Sequence, residues 1–242
     1  MKKRTRIILS VCLAVLLVFG VGGYAYVSDY YHADETALEA MAYQTDSVQT
    51  EQDGNVTWFV PENSTTGLIF YPGGKVEHTA YAPLMRACAE NGILCALVRM
   101  PGNLAVLDAN AADGLQQEHP EVTTWYIAGH SLGGAMASNY AAAHAEDFDG
   151  LILLAAYSTK DLTGTPLRVL SVYGSEDGVM NRHSYEKNRA NLPADTTEVV
   201  LDGGCHAQFG SYGPQDGDGI PTISGEEQVR QTTEAITAFI GG

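Results

Sequence analysis

Residues 125–145 read WYIAGHSLGGAMASNYAAAHA: an apolar, strand-like run, a glycine-rich turn and an alanine-rich helical stretch, with Ser131 at the sharpest point of the turn. A serine forced into a strand-to-helix turn takes a strained backbone conformation, exposes its hydroxyl and faces free N–H groups at the start of the helix. Gly129 and Gly133 flank it, where side chains would collide with the turn and with neighbouring strands. The same five residues also suit a serine that merely caps a helix, and in a chain with 26 glycines the pattern alone is weak. A hydroxyl becomes a nucleophile only when a base takes its proton and an acid fixes the tautomer of that base. The partners therefore decide the matter.

Seven histidines are available. His32 lies in a polar stretch near the N-terminus, and His130 lies within the turn itself, directed away from the serine hydroxyl. His78, His119, His144 and His183 fall in or beside expected helices and loops, where a packed or solvated histidine is ordinary. His206, in GGCHAQFG, follows the last expected strand by a short glycine turn, at the same sheet edge as Ser131. In LRVLSVYGSEDGV, Asp177 sits just past a strand end; Glu176 is the adjacent rival, and Asp177-Gly178 extends the turn that would aim the carboxylate at an imidazole. The chain order Ser131, Asp177, His206 suits nucleophile, acid and base on a sheet of this kind. Developing oxyanion charge would be met by the N–H of Leu132 and by one from YPGGK, which supplies Gly73, Gly74 and Lys75. Cys205, beside the candidate base, reads as a packing residue rather than a second nucleophile.

These residues need a scaffold that brings strand ends together. SVQTEQDGNVTWFVPE carries a hairpin signal around Asp53-Gly54. After it, short β-branched runs alternate with helical segments: strands at 67–71, 94–98, 123–128, 151–155, 167–173 and 197–201, and helices at 80–91, 104–117, 132–145, 183–191 and 226–240. That alternation predicts an α/β fold, a mostly parallel central sheet with helices on both faces, and ligands at the carboxyl ends of its strands. The gap between the strands at 151–155 and 167–173 is too short for an inserted helical lid domain.

FYPGGK, YIAGHSLGG, VYGSEDGV and GGCHAQFGSYGPQDGDG together resemble the oxyanion loop, nucleophile elbow, acid turn and histidine loop of α/β-hydrolases, in the small lidless branch related to dienelactone hydrolases. The resemblance spans about residues 67–242 and leaves the N-terminal segment and the hairpin uncovered. It implies Ser131 as nucleophile, Asp177 as acid, His206 as base, and the backbone N–H groups of Gly74 and Leu132 as oxyanion donors. Dienelactone hydrolases use cysteine where this elbow has serine, so their substrate does not carry over. Cys205 stands where that branch leads one to expect asparagine.

Charge and composition narrow the partners. Residues 28–242 hold nine basic and twenty-nine acidic residues, a net −20, which repels phosphate backbones and anionic lipid surfaces; nucleic acid is not expected as a partner. Lys2, Lys3, Arg4 and Arg6 precede 21 uncharged residues, 7–27, which are long enough to cross a bilayer core of about 30 Å at about 1.5 Å per residue. The expectation is an uncleaved membrane anchor at 1–27 with the basic cluster on the cytoplasmic side, a stalk at 28–45 and an extracytoplasmic domain at 46–242; secretion after signal cleavage is the alternative. Cys12 belongs to the anchor, and Cys88 and Cys95 either pair in an oxidising compartment or serve as small buried residues. PQDGDG lacks the spacing of a calcium loop and reads as a turn; no metal or cofactor is expected. The expected reaction is hydrolysis of a small carboxylic ester or related acyl compound through an acyl-enzyme. Acyl transfer by the same residues and a non-catalytic binding domain of the same fold are the alternatives.

Overall fold

The structure, a computed structural model, describes residues 3–242, with side chains from residue 10. Lys2 and the side chains of Lys3, Arg4 and Arg6, the basic cluster ahead of the apolar run, lie outside the described residues. The chain divides into two units, Met1–Tyr30 and Tyr31–Gly242.

The first unit is a single helix, α1 (Lys3–Ser28). Its segment Ser10–Ser28 is long and apolar enough to cross a membrane.

The second unit is built on an eight-stranded sheet in the order β1-β2-β4-β3-β5-β6-β7-β8. The strands are β1 (Val48–Asp53), β2 (Val56–Pro61), β3 (Thr66–Tyr71), β4 (Ile93–Val98), β5 (Thr124–His130), β6 (Gly150–Leu154), β7 (Arg168–Gly174) and β8 (Thr197–Leu201). β1 and β2 form the expected hairpin: Asp53 faces Val56, and Gly54, at φ 53°, opens the two-residue turn. β2 runs antiparallel to β4, and all pairings from β4 to β8 are parallel.

Successive strand residues point to opposite faces, and both faces are covered. Leu68, Phe70, Tyr126, Ala128, Ile152 and Leu170 pack on one side with α3 (Ala82–Glu90) and α7 (Gly225–Gly241). Ile69, Tyr71, Ile127, Leu151, Leu153 and Val169 pack on the other with α5 (Leu132–Ala143). The second unit starts ahead of the expected domain boundary. α2 (Glu35–Ala42), within the segment expected as a stalk, buries Ala37, takes its N-cap from Asp34 and packs Ala40 and Met41 against the α3 and α7 layer.

One expected helix is absent. Over 104–117 the chain instead makes a short 3₁₀ turn at Ala105–Leu107, just after another at Pro101–Asn103, and only one helical turn, α4 (Leu115–Glu118), entered through Gly114 at φ 85°. Asp108, Asn110 and Asp113 are turn formers that compete with a helix, and tertiary bonds complete the diversion. The Tyr71 hydroxyl donates to Ala109 O and accepts from Ala112 N, while Tyr140 Oη donates to Asp113 Oδ1. The remaining helix, α6 (Arg182–Asn188), follows β7. Residues 155–167 between β6 and β7 contain turns and no helix, so no lid domain is inserted there.

Strand order decides where chemistry can sit. β3 has β4 on one side and β5 on the other, so the chain reverses its direction of travel across the sheet there, and a crevice opens beyond the strand ends. The loops that leave β3 and β5 are those carrying Gly73-Gly74 and Ser131.

Candidate active site

Ser131, between the end of β5 and the start of α5, has φ 51° and ψ −121°, a conformation that side-chain-bearing residues rarely adopt. Its N–H donates to Leu154 O of β6 (2.9 Å), which pins the turn to the neighbouring strand. A Cβ on Gly133 would lie 2.2 Å from the carbonyl oxygens of Tyr71 and Pro72, and one on Gly129 would lie 2.6 Å from the backbone of Gly133. The two glycines therefore let the start of α5 nest against the exit of β3. A Cβ on Gly74 would lie 2.8 Å from Leu132 Cδ2, so the two expected oxyanion donors are neighbours. Among the described residues neither of these N–H groups has a protein acceptor.

Asp177 and His206 meet directly: Asp177 Oδ2 lies 2.9 Å from His206 Nδ1, with both side chains buried. Asp177 Oδ1 accepts from the N–H of Val179 (2.9 Å) and Met180 (2.8 Å), so the carboxylate is fixed by its own turn. Glu176, the rival acid, instead accepts from the hydroxyl of Ser175. His206 Nε2 is buried and has no hydrogen-bond partner among the described residues, so no bond joins it to the Ser131 hydroxyl. Such contacts often tighten only when substrate is bound.

His130, next to the serine in sequence, links the two halves of the site. Its buried ring lies 4.4 Å from the His206 ring, centroid to centroid. Its Nδ1 lies 2.8 Å from Tyr81 Oη, and that oxygen accepts from Gly73 N (3.0 Å). Assigning the phenol proton to Nδ1 puts the proton of His130 on Nε2, a buried nitrogen with no hydrogen-bond partner among the described residues. Burial, and then the proximity of His206, push its pKa well below the usual histidine range, so the ring is neutral. The same contact explains the glycine pair: Gly73 is committed to Tyr81, which leaves Gly74 to face the site. Nothing in local sequence marks Tyr81, because its role depends on the 3₁₀ turn His78–Tyr81 ahead of α3 bringing its phenol onto Gly73 and His130.

The histidine loop is held from two sides. Gln228 of α7 is buried and grips residue 205 at both ends, its Oε1 accepting from Cys205 N (2.9 Å) and its Nε2 donating to Cys205 O (2.7 Å). On the other side, Asp218 of the PQDGDG turn accepts from His206 N and Ala207 N. These bonds supply the support that the missing asparagine left open. Cys205 itself is buried and its thiol is pushed up to about 11, burial being the largest cause; it is no thiolate at neutral pH. Cys88 and Cys95 are free thiols in the core. A cavity of about 660 Å³ lies behind the histidine loop, bounded by Asp34, Cys205, Gln208, Asp218 and Glu226, and does not reach Ser131.

Comparison with known proteins agrees with this architecture. A model of the alpha/beta hydrolase family matches residues 67–230. A search of curated proteins finds no match. Among solved structures, dienelactone hydrolase from Anabaena variabilis superposes with a TM-score of 0.60 at 14% identity, covering 79% of this chain and 98% of that one. Carboxylesterase CesB (YbfK) from Bacillus subtilis gives 0.60 at 11% identity, covering 86% and 96%, and Est1E from Butyrivibrio proteoclasticus gives 0.57 at 14%, covering 81% and 100%. At such identities the likeness is one of fold. The match of sequence to family over residues 67–230, on a sheet whose strand ends carry this elbow and this acid–histidine pair, makes the chain a member of the alpha/beta hydrolase family.

Proposed function

We propose that the protein is a serine hydrolase that cleaves small carboxylic esters or related acyl compounds through an acyl-enzyme. The observation that carries this reading is the Asp177–His206 Nδ1 bond beside an elbow serine at positive φ. Ser131 Oγ attacks the carbonyl carbon as its proton passes to His206 Nε2. Asp177 holds Nδ1–H and stabilises the imidazolium. The oxyanion is met by the N–H groups of Leu132 and Gly74, at a helix start where the backbone dipoles favour negative charge. His206 then returns the proton to the departing alcohol, and water, activated by the same imidazole, releases the acid. Solved relatives in fold include proteins described as a dienelactone hydrolase and a carboxylesterase, which is consistent with ester substrates.

The apolar N-terminal helix acts in this reading as an anchor, with the hydrolase domain outside the membrane and no other membrane contact. The test of the chemistry is Ser131→Ala in the full-length chain, followed with short-chain p-nitrophenyl esters and a fluorophosphonate probe. Hydrolysis should fall by about a thousandfold or more and labelling should vanish. A Ser131→Ala protein that keeps its esterase activity ends the proposal.

A further inference from the structure

The acid and base of the proposed triad come from loops 29 residues apart in sequence, and a single carboxylate ties those loops together. Asp218 Oδ1 accepts from Gly178 N (3.1 Å), His206 N (3.2 Å) and Gly219 N (2.8 Å), and its Oδ2 accepts from Ala207 N (2.8 Å). Gly178 is the residue after the acid, and His206 is the base itself. Burial works against ionisation of Asp218, but the four N–H donors outweigh it and hold the carboxyl below its usual range. The two turns also interlock sterically. A Cβ on Gly219 would lie 1.8 Å from Glu176 O, and one on Gly178 would lie 2.6 Å from Gly217 O. From the outside, Tyr31 Oη accepts from Asp216 N (3.1 Å), which holds the turn in place.

We propose that Asp218 is a positioning residue of the active site: its carboxylate crosslinks the acid turn to the histidine loop and so sets the Asp177–His206 hydrogen bond. This rests on the triad reading above. Asp218 touches no reacting atom; it acts through the backbone on either side of the pair. The job demands a carboxylate. An amide at 218 would turn an NH₂ toward either the Ala207 N–H or the three N–H groups gathered at Oδ1, so donor would face donor and one loop would move away. Displacement of a catalytic pair by about 1 Å can cost on the order of a hundredfold in rate.

The test uses the full-length protein in detergent, with p-nitrophenyl acetate as substrate and the downfield proton NMR signal of His206 Nδ1–H as a second readout, assigned by its loss in Asp177→Asn. In Asp218→Asn, kcat should fall by about 10- to 100-fold with KM within about threefold, and the downfield proton should shift or broaden. Gly219→Ala keeps the carboxylate but drives the turn off Glu176, and should move the same resonance and lower kcat the same way; it serves if Asp218→Asn does not fold. An unshifted resonance in both variants, whether or not kcat or thermal stability has dropped, overturns the proposal. Failure of the hydrolase reading is separately visible: the wild-type protein would then neither hydrolyse the ester nor take up fluorophosphonate, while the resonance would still report on Asp218.

Discussion

Removal of one oxygen atom tests how the Gly73-Gly74 loop is joined to the Ser131 turn. In Tyr81→Phe the ring still fills its place beside Phe70, at 5.0 Å between centroids, but Gly73 N–H and His130 Nδ1 both lose their partner. Both are buried, and a buried polar group stripped of its bond costs about 1–3 kcal/mol, so two of them cost about 2–6 kcal/mol. For a domain of this size about 1 kcal/mol shifts the melting temperature by about 2–4 °C, so Tm should fall by at least about 4 °C. Thermal and urea unfolding of the full-length chain in detergent measure this directly. A double-mutant cycle with His130→Leu isolates the link, and a coupling between about 0.5 and 3 kcal/mol is expected. Hydrolysis should weaken as well, because a released Gly73 no longer fixes Gly74 against Leu132. A Tyr81→Phe protein melting within about 2 °C of wild type, with no coupling to His130, would refute the claim that this hydroxyl joins the two loops.

Asp177→Asn keeps the shape of the acid but favours the wrong imidazole tautomer, and kcat for ester hydrolysis should drop by about a thousandfold or more; a loss of under about tenfold would contradict the role given to Asp177. His78 is held down to about 4, by burial first and then by Arg99, whereas the unfolded chain titrates near about 6.5. Below pH 6.5 the unfolded state therefore binds a proton that the folded state refuses, and this group's contribution makes stability fall as pH drops from about 6.5 toward 4. At pH 5 His78→Gln should recover on the order of 2 kcal/mol relative to its effect at pH 7.5 in urea unfolding, and a pH-independent difference would count against the assignment. Cys88 and Cys95 are fully buried free thiols, and burial raises Cys95 further, so iodoacetamide should modify them only in denaturant. Intact-mass detection of a disulfide between them would contradict this.

The fold was legible wherever local pattern and tertiary demand agree. The parallel strands from β3 to β7 announced themselves as short apolar runs, because a strand buried on both faces must be apolar at successive positions, as Leu94–Val98 and Leu151–Leu154 are. The segment at 104–117 failed because its turn-forming Asp and Asn residues side with hydroxyls of Tyr71 and Tyr140, which reach it from other elements. The elbow glycines were readable for the opposite reason. Their need arises within a few residues of chain, where backbone meets backbone.

Sequence alone determined the alternation of strands and helices, the strained serine turn, the candidates Asp177 and His206, and an apolar helix at the N-terminus, since each is written in residues close together along the chain. Only the tertiary structure decided how those candidates are held. Tyr81 between Gly73 and His130, Gln228 on residue 205 and Asp218 between the acid and histidine loops owe their roles to strand order and helix docking, which bring distant side chains onto backbone groups that no local pattern identifies. Hydrogen bonds are short and directional, so which of many polar residues makes one is settled by position in space.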